Sequence, residues 1–155
     1  MSEPRSRKPI AALVLSAAAV VGISRHEGFR STAYLPTPDD VPTIGYGTTE
    51  GVKMGDTITK ERALVRLGRD ADMFARAVKR CAPVPMFQNE FDAYTSLTYN
   101  IGESAFCKST IAKRLKAGDY YGACRGILAW DKQAGRQLKG LTNRRQAEYK
   151  LCIQS

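Results

Sequence analysis

Between Gly28 and Gly55 the chain carries three prolines, Pro36, Pro38 and Pro42, and five glycines. Proline removes a backbone donor and clashes with the preceding helical turn, so no helix crosses this stretch. What remains possible is a small β region. Thr43-Ile44-Gly45-Tyr46-Gly47-Thr48 reads as a short strand bounded by tight turns, in one hairpin or three short strands. Helical segments on either side are therefore separate elements.

Downstream, Thr59 is placed to N-cap a helix running to Arg80. Ala63, Leu67, Ala71, Phe74 and Val78 recur at helical steps and give it one apolar face. Pro83 and Pro85 end it. Gln88 to Ile101 reads as a second helix, apolar on more than one side through Phe91, Ala93, Leu97 and Tyr99. Such a helix is central and buried. Shorter helices follow: Ser109–Lys116, then Asp119 to Trp130. Gly135 and Gly140 read as turns, and Thr142 opens a last basic helix to Cys152. The expected fold class is α+β and mainly α-helical, in one domain over residues 1–155. Its parts are a basic tail (1–8), a weakly apolar helix (9–26), a small β lobe (27–58), a linking helix (59–80) and a helical lobe (81–155). A cleft between two lobes is the expected ligand site.

Arg5, Arg7 and Lys8 precede an apolar run from Pro9 to Ile23, a pattern that resembles a signal sequence. The run is Ala-rich and shorter than the roughly 20 residues of a membrane span. Ala17-Ala18-Ala19 passes for a cleavage site, yet cleavage there leaves little chain before Glu27. A cleaved signal, a weak anchor that later leaves the bilayer, and a plain buried helix compete. The weak anchor is preferred, with the buried helix as its state in solution.

The net charge is +9. Residues 1–75 hold ten Lys/Arg against nine Asp/Glu, and residues 76–155 hold fourteen against six. The second half is thus suited to a polyanion such as an anionic cell wall, lipid or nucleic acid. No nucleic-acid-binding module is recognisable. Four cysteines, without a CxxC pair, and a single histidine argue against structural zinc and for two disulfides in an oxidising compartment. Cys107 and Cys124 flank the turn at Gly118 about equally, so an antiparallel helix pair would join them and leave Cys81 for Cys152. The other two connectivities remain open.

Glu27 falls at the expected end of the first helix, before Gly28. The partial negative charge there disfavours a carboxylate and suits a general acid that must hold its proton. Asp39 and Asp40 follow in the proline-rich loop, and Thr43 opens the β run. Two acids and a hydroxyl held together are what glycoside hydrolysis needs.

Glu27-Gly28, Ala33-Tyr34 and Thr43-Ile44-Gly45-Tyr46-Gly47 together resemble the tailed-phage lysozymes, the endolysins of glycoside hydrolase family 24. Gln88-x-x-Phe91-Asp92-Ala93, Tyr99-Asn100-Ile101-Gly102, Ser109-Thr110, Trp130 and Gly140-Leu141-x-x-Arg144-Arg145 extend the resemblance over most of the chain. It implies a two-lobed lysozyme-like fold. It implies a muramidase cutting the β-1,4 bond between N-acetylmuramic acid and N-acetylglucosamine in peptidoglycan. No metal or organic cofactor is implied, and a monomer is expected. The apolar N-terminal run resembles the signal-anchor-release segment of lambdoid members. That implies export to the host periplasm, with transient tethering to the inner membrane through residues 9–23.

The family's catalytic trio is Glu, then Asp or Cys, then Thr. Glu27 and Thr43 match the outer positions, but their interval is one residue longer than the pattern. Counting inward lands on Pro36 or Thr37, neither of them an acid or thiol. Asp40 is the preferred second carboxylate, with Asp39 as its substitute. Asn100 and Tyr46 are candidate substrate-binding residues. A lytic transglycosylase acting through Glu27 alone is the alternative reading. Thr48 stands where many relatives carry His, and Arg144 and Arg145 read as a solvated basic face or as contacts to wall carboxylates.

Overall fold

The structure is a computed structural model, and it describes residues 5–154. It is a mainly helical α+β protein with two small hairpins. The chain divides into two compact units, one of residues 17–72 and one combining the N-terminal segment through Ser16 with Met73 onward.

In the first unit, α1 (Ala17–Glu27) stops where Gly28 adopts φ +73°. The Gly28 amide still donates to the Ser24 carbonyl at 3.3 Å, which closes the last turn. β1 (Arg30–Tyr34) and β2 (Thr43–Gly45) then pair antiparallel, Tyr34 opposite Thr43 and Arg30 opposite Gly45. Isolated bridges join Thr32 to Thr57 and Ile44 to Thr48. Gly45 has two reasons to be glycine. Its φ is +65°, and a Cβ there would lie 3.0 Å from that of Ala63 on α2 (Lys60–Cys81). Thr48 is buried and donates to the Asp70 carboxylate of α2 at 2.8 Å. Thr59 caps α2 by accepting from the Arg62 amide at 3.3 Å.

The second unit is built around α3 (Gln88–Ile101), whose residues 89–98 are all buried. Around it are α4 (Glu103–Cys107), α5 (Thr110–Lys116), α6 (Tyr120–Gly126), a 3-10 turn at Ile127–Ala129 and α7 (Lys139–Cys152). Ser109 and Asp119 cap α5 and α6 with their side chains. Phe91, Tyr94, Leu97, Phe106, Ile111, Leu115 and Ile127 form the centre of the core.

Several expectations are corrected. The segment 9–26 is not one helix. A 3-10 turn at Ile10–Ala12 gives way to non-helical residues 13–16 before α1 begins. Polar side chains of α3 take the backbone groups that a helix would use. Gln88 donates to the Val14 carbonyl at 2.8 Å, and the Ser16 amide donates to Asp92 at 3.2 Å. Among the described residues no helix is long and apolar enough to cross a membrane. The helix expected from Asp119 to Trp130 ends at Gly126 before the 3-10 turn. Gly140 lies in the first turn of α7, which starts at Lys139 rather than Thr142.

An unforeseen hairpin separates these helices. β3 (Lys132–Gln133) and β4 (Arg136–Gln137) pair antiparallel across a two-residue turn. Both turn residues, Ala134 (φ +52°) and Gly135 (φ +79°), have positive φ. That conformation ordinarily recruits Asn-Gly or Asp-Gly, and alanine there conceals the hairpin.

The cysteines pair as Cys81–Cys107 and Cys124–Cys152, not as Cys107–Cys124 and Cys81–Cys152. The reason is α4. It breaks the supposed symmetry about Gly118 and carries Cys107 to the end of α2, where Arg80 also pairs with Glu103. The Cα atoms of Cys81 and Cys107 are 5.1 Å apart, and those of Cys124 and Cys152 are 5.7 Å apart. Two checks follow. Non-reducing peptide mapping will recover Cys81–Cys107 and Cys124–Cys152 linked peptides, and replacing one pair by serine will cost about 3.5 kcal/mol by loop-closure entropy, measured by urea denaturation. Ala134→Asn will raise stability by about 0.5–1 kcal/mol in the same assay, because asparagine tolerates the left-handed region that alanine resists.

Candidate active site

Glu27 is the last residue of α1 and is partly buried. Three residues later β1 begins, and its pairing with β2 brings the Glu27–Tyr34 arm alongside Thr43–Gly45. Phe29 packs on Tyr46 with ring centroids 5.5 Å apart. Tyr46 is thus a buried packing residue at 8% exposure. Thr43 is also buried, and its hydroxyl donates to the Val41 carbonyl at 3.0 Å. The donated proton leaves the oxygen lone pairs free to accept, which suits a group that orients water.

Asp39 and Asp40 are both exposed in the loop between β1 and β2. Asp40 is the more constrained of the two. Its carboxylate accepts from the Val41 amide at 3.1 Å, and its own amide donates to the Thr37 carbonyl at 3.0 Å. Asp40 and Thr43 therefore hold the two backbone groups of one residue, Val41. Glu27, Asp39, Asp40, Thr43 and Tyr46 all belong to the unit of residues 17–72.

Asn100 belongs to the other unit, exposed in the last turn of α3. Its side-chain oxygen accepts from Arg145 of α7. Arginine only donates, so this contact fixes the amide orientation and turns the NH2 group away from Arg145. Arg145 is 1% exposed and also donates to Glu148 at 2.6 Å. Glu148 in turn accepts from Ser96 and lies 3.5 Å from the Arg144 guanidinium. Burial pushes the Glu148 carboxyl up and the Arg145 guanidinium down, and their pairing opposes both shifts. Arg144 and Arg145 are buried structural cations, not a solvated face. The expectation failed because a basic run does not reveal its partner. The signal was present in the spacing, since Glu148 stands three and four residues beyond the two arginines.

One group among the described residues has metal-ligand spacing: Cys81, Glu103 and Cys107. Both sulfurs are joined in a disulfide and offer no thiolate, so the group does not fit a metal.

Comparisons with known proteins identify the family. A family model described as Phage lysozyme matches residues 24–148. The chain is 40% identical over 138 residues to the endolysin of Acyrthosiphon pisum secondary endosymbiont phage 1, covering 86% of this chain and 94% of that protein. It is 39% identical over 151 residues to the SAR-endolysin of Pseudomonas phage phiKMV, covering 95% and 92%. The solved muramidase domain of SpmX from Asticaccaulis excentricus superposes with a TM-score of 0.84 at 32% identity, over 92% of this chain and 99% of that one. The chain belongs to the phage lysozyme family. Its activity is that of an endolysin, a lysozyme-type glycoside hydrolase of host lysis, with peptidoglycan as substrate.

The buried cluster gives a direct test of the helical unit. Glu148→Ala leaves the Arg145 charge buried without its counter-ion. The expected loss is about 3–5 kcal/mol, read by urea denaturation, whereas a surface ion pair such as Arg80–Glu103 would cost under about 1 kcal/mol.

Proposed function

We propose that Glu27 is the general acid, Asp40 the general base and Thr43 the water-orienting hydroxyl of a peptidoglycan muramidase. Glu27 gives its proton to the glycosidic oxygen between N-acetylmuramic acid and N-acetylglucosamine as the bond from C1 to that oxygen breaks. Asp40 takes a proton from water, which attacks C1 from the opposite face and inverts it. The observation that carries this reading is the family membership over residues 24–148, which includes the helix end at Glu27 and the hairpin at Thr43. Asp40 is favoured over Asp39 because its hydrogen bonds share Val41 with those of Thr43. Asn100 contributes a donor to the acetamido substituents, and Tyr46 supports the hairpin behind the sugar.

The protein acts as a monomer in the periplasm, without nucleic acid. Residues 9–23 serve as a transient inner-membrane tether before release. Relatives named SAR-endolysin support that route. So does the weak apolar character of α1, whose run Ala17–Ile23 ends in Ser24, Arg25 and His26.

The test is activity on purified peptidoglycan. Glu27→Gln is expected to lower turnover by about 100-fold or more. Asp40→Asn is expected to fall by a similar factor and Asp39→Asn to stay within about threefold. Equal activity of both Asp variants with the parent removes Asp40 from the mechanism. Anhydromuramic acid ends among the products would point instead to a transglycosylase using Glu27 alone.

A further inference from the structure

A groove of about 830 Å³ lies on the helical unit between α5 and α6. None of its lining residues belongs to the trio proposed above. Two arginines, Arg114 and Arg125, face it with two aromatics, Tyr121 and Trp130. Gly126 lies in its lining. A Cβ at that position would lie 2.8 Å from the Ile111 side chain of α5, so the glycine lets that side chain pack directly on the α6 backbone.

The charge in the groove is uneven. Its one acid, Asp119, is engaged in capping α6, accepting from the Gly122 amide at 2.9 Å. Arg114 uses one amine on the Gly122 carbonyl at 2.9 Å, which fixes its fork and leaves other donors for a ligand. Arg125 is exposed. Tyr121 is 62% exposed, an unusual state for a ring of that size. Its ring is thus available to a ligand in the groove. Trp130 is half-buried and closes the same groove.

Planar forks bind carboxylates in pairs, and flat aromatic faces cover apolar and sugar surfaces. We propose that this groove is a second wall-binding site, which takes the carboxylate-bearing peptide stems of peptidoglycan. Arg114 and Arg125 hold the carboxylates, and Tyr121 and Trp130 pack on the stem. The site would keep the enzyme on an insoluble polymer between cuts. The proposal rests on the peptidoglycan reading of the preceding subsection.

Trp130 is the only tryptophan of the chain and lines the groove, so its fluorescence reports directly on occupancy. The full chain carrying Glu27→Gln is titrated with a soluble disaccharide–tetrapeptide muropeptide. Arg114→Gln/Arg125→Gln is compared with Lys113→Gln/Lys116→Gln, which removes two charges from exposed sites of α5 outside the groove. The expected result is at least fivefold weaker binding for the arginine pair and less than twofold for the lysine pair. With otherwise parental protein on intact sacculi, KM should rise several-fold for the arginine pair while kcat changes little. Equal weakening by both pairs would mean that only overall charge matters and would overturn the proposal. Stronger binding of peptide-free N-acetylglucosamine oligomers, of a DNA oligonucleotide or of phosphatidylglycerol vesicles would overturn it too. Failure of the peptidoglycan reading shows separately, as lysis that survives Glu27→Gln.

Discussion

The helical unit is governed by the burial of polar groups on α3. A buried polar group without a partner costs more than most contacts gain. Asn89, Glu90, Asp92 and Ser96 are buried and therefore dictate what surrounds them. Glu90 reaches back to the Phe87 amide at 2.8 Å and takes a bidentate Arg7, which lies over the Tyr120 ring at 3.6 Å. Asp92 takes Ser16. Asn89 donates to the carbonyls of Leu151, Cys152 and Gln154 and so closes the C-terminus of α7. Ser96 and Asn100 take the Glu148 and Arg145 pair. One helix thus recruits the N-terminal strap, the last helix and the chain end through hydrogen bonds whose absence would leave polar groups buried and unpaired.

Much of the frame was legible because local physics sets it. α3 lies at the residues its periodicity indicates, Gln88–Ile101, and α2 is displaced by one residue from the expected limits. Capping by Ser109 and Asp119 follows from side-chain chemistry that acts within three residues. What escaped was non-local or locally disfavoured. The cysteine pairing depends on where the five-residue α4 sends Cys107. The β3–β4 hairpin carries alanine where the turn calls for asparagine. The shape of residues 9–16 is decided by Gln88 and Asp92, more than seventy positions away.

The same division applies to the candidate site. Glu27 and Thr43 stand out because a helix end and a hairpin edge constrain their neighbours. The choice between Asp39 and Asp40 is harder to read, because both lie exposed in the same proline-rich loop. The hairpin is secured by a side-chain tie to α2. Thr48 binds Asp70 through a hydroxyl that does not titrate. That tie keeps its donor at any pH at which the fold persists.

Both disulfides lie within the unit that contains α3, and among the described residues none falls within 17–72. The redox state of the surroundings consequently acts on one half of the molecule. A reduced chain would lack both cross-links in the helical unit, while its hairpin unit would be chemically unchanged. Oxidation of the thiols is thus a covalent change confined to the helical unit.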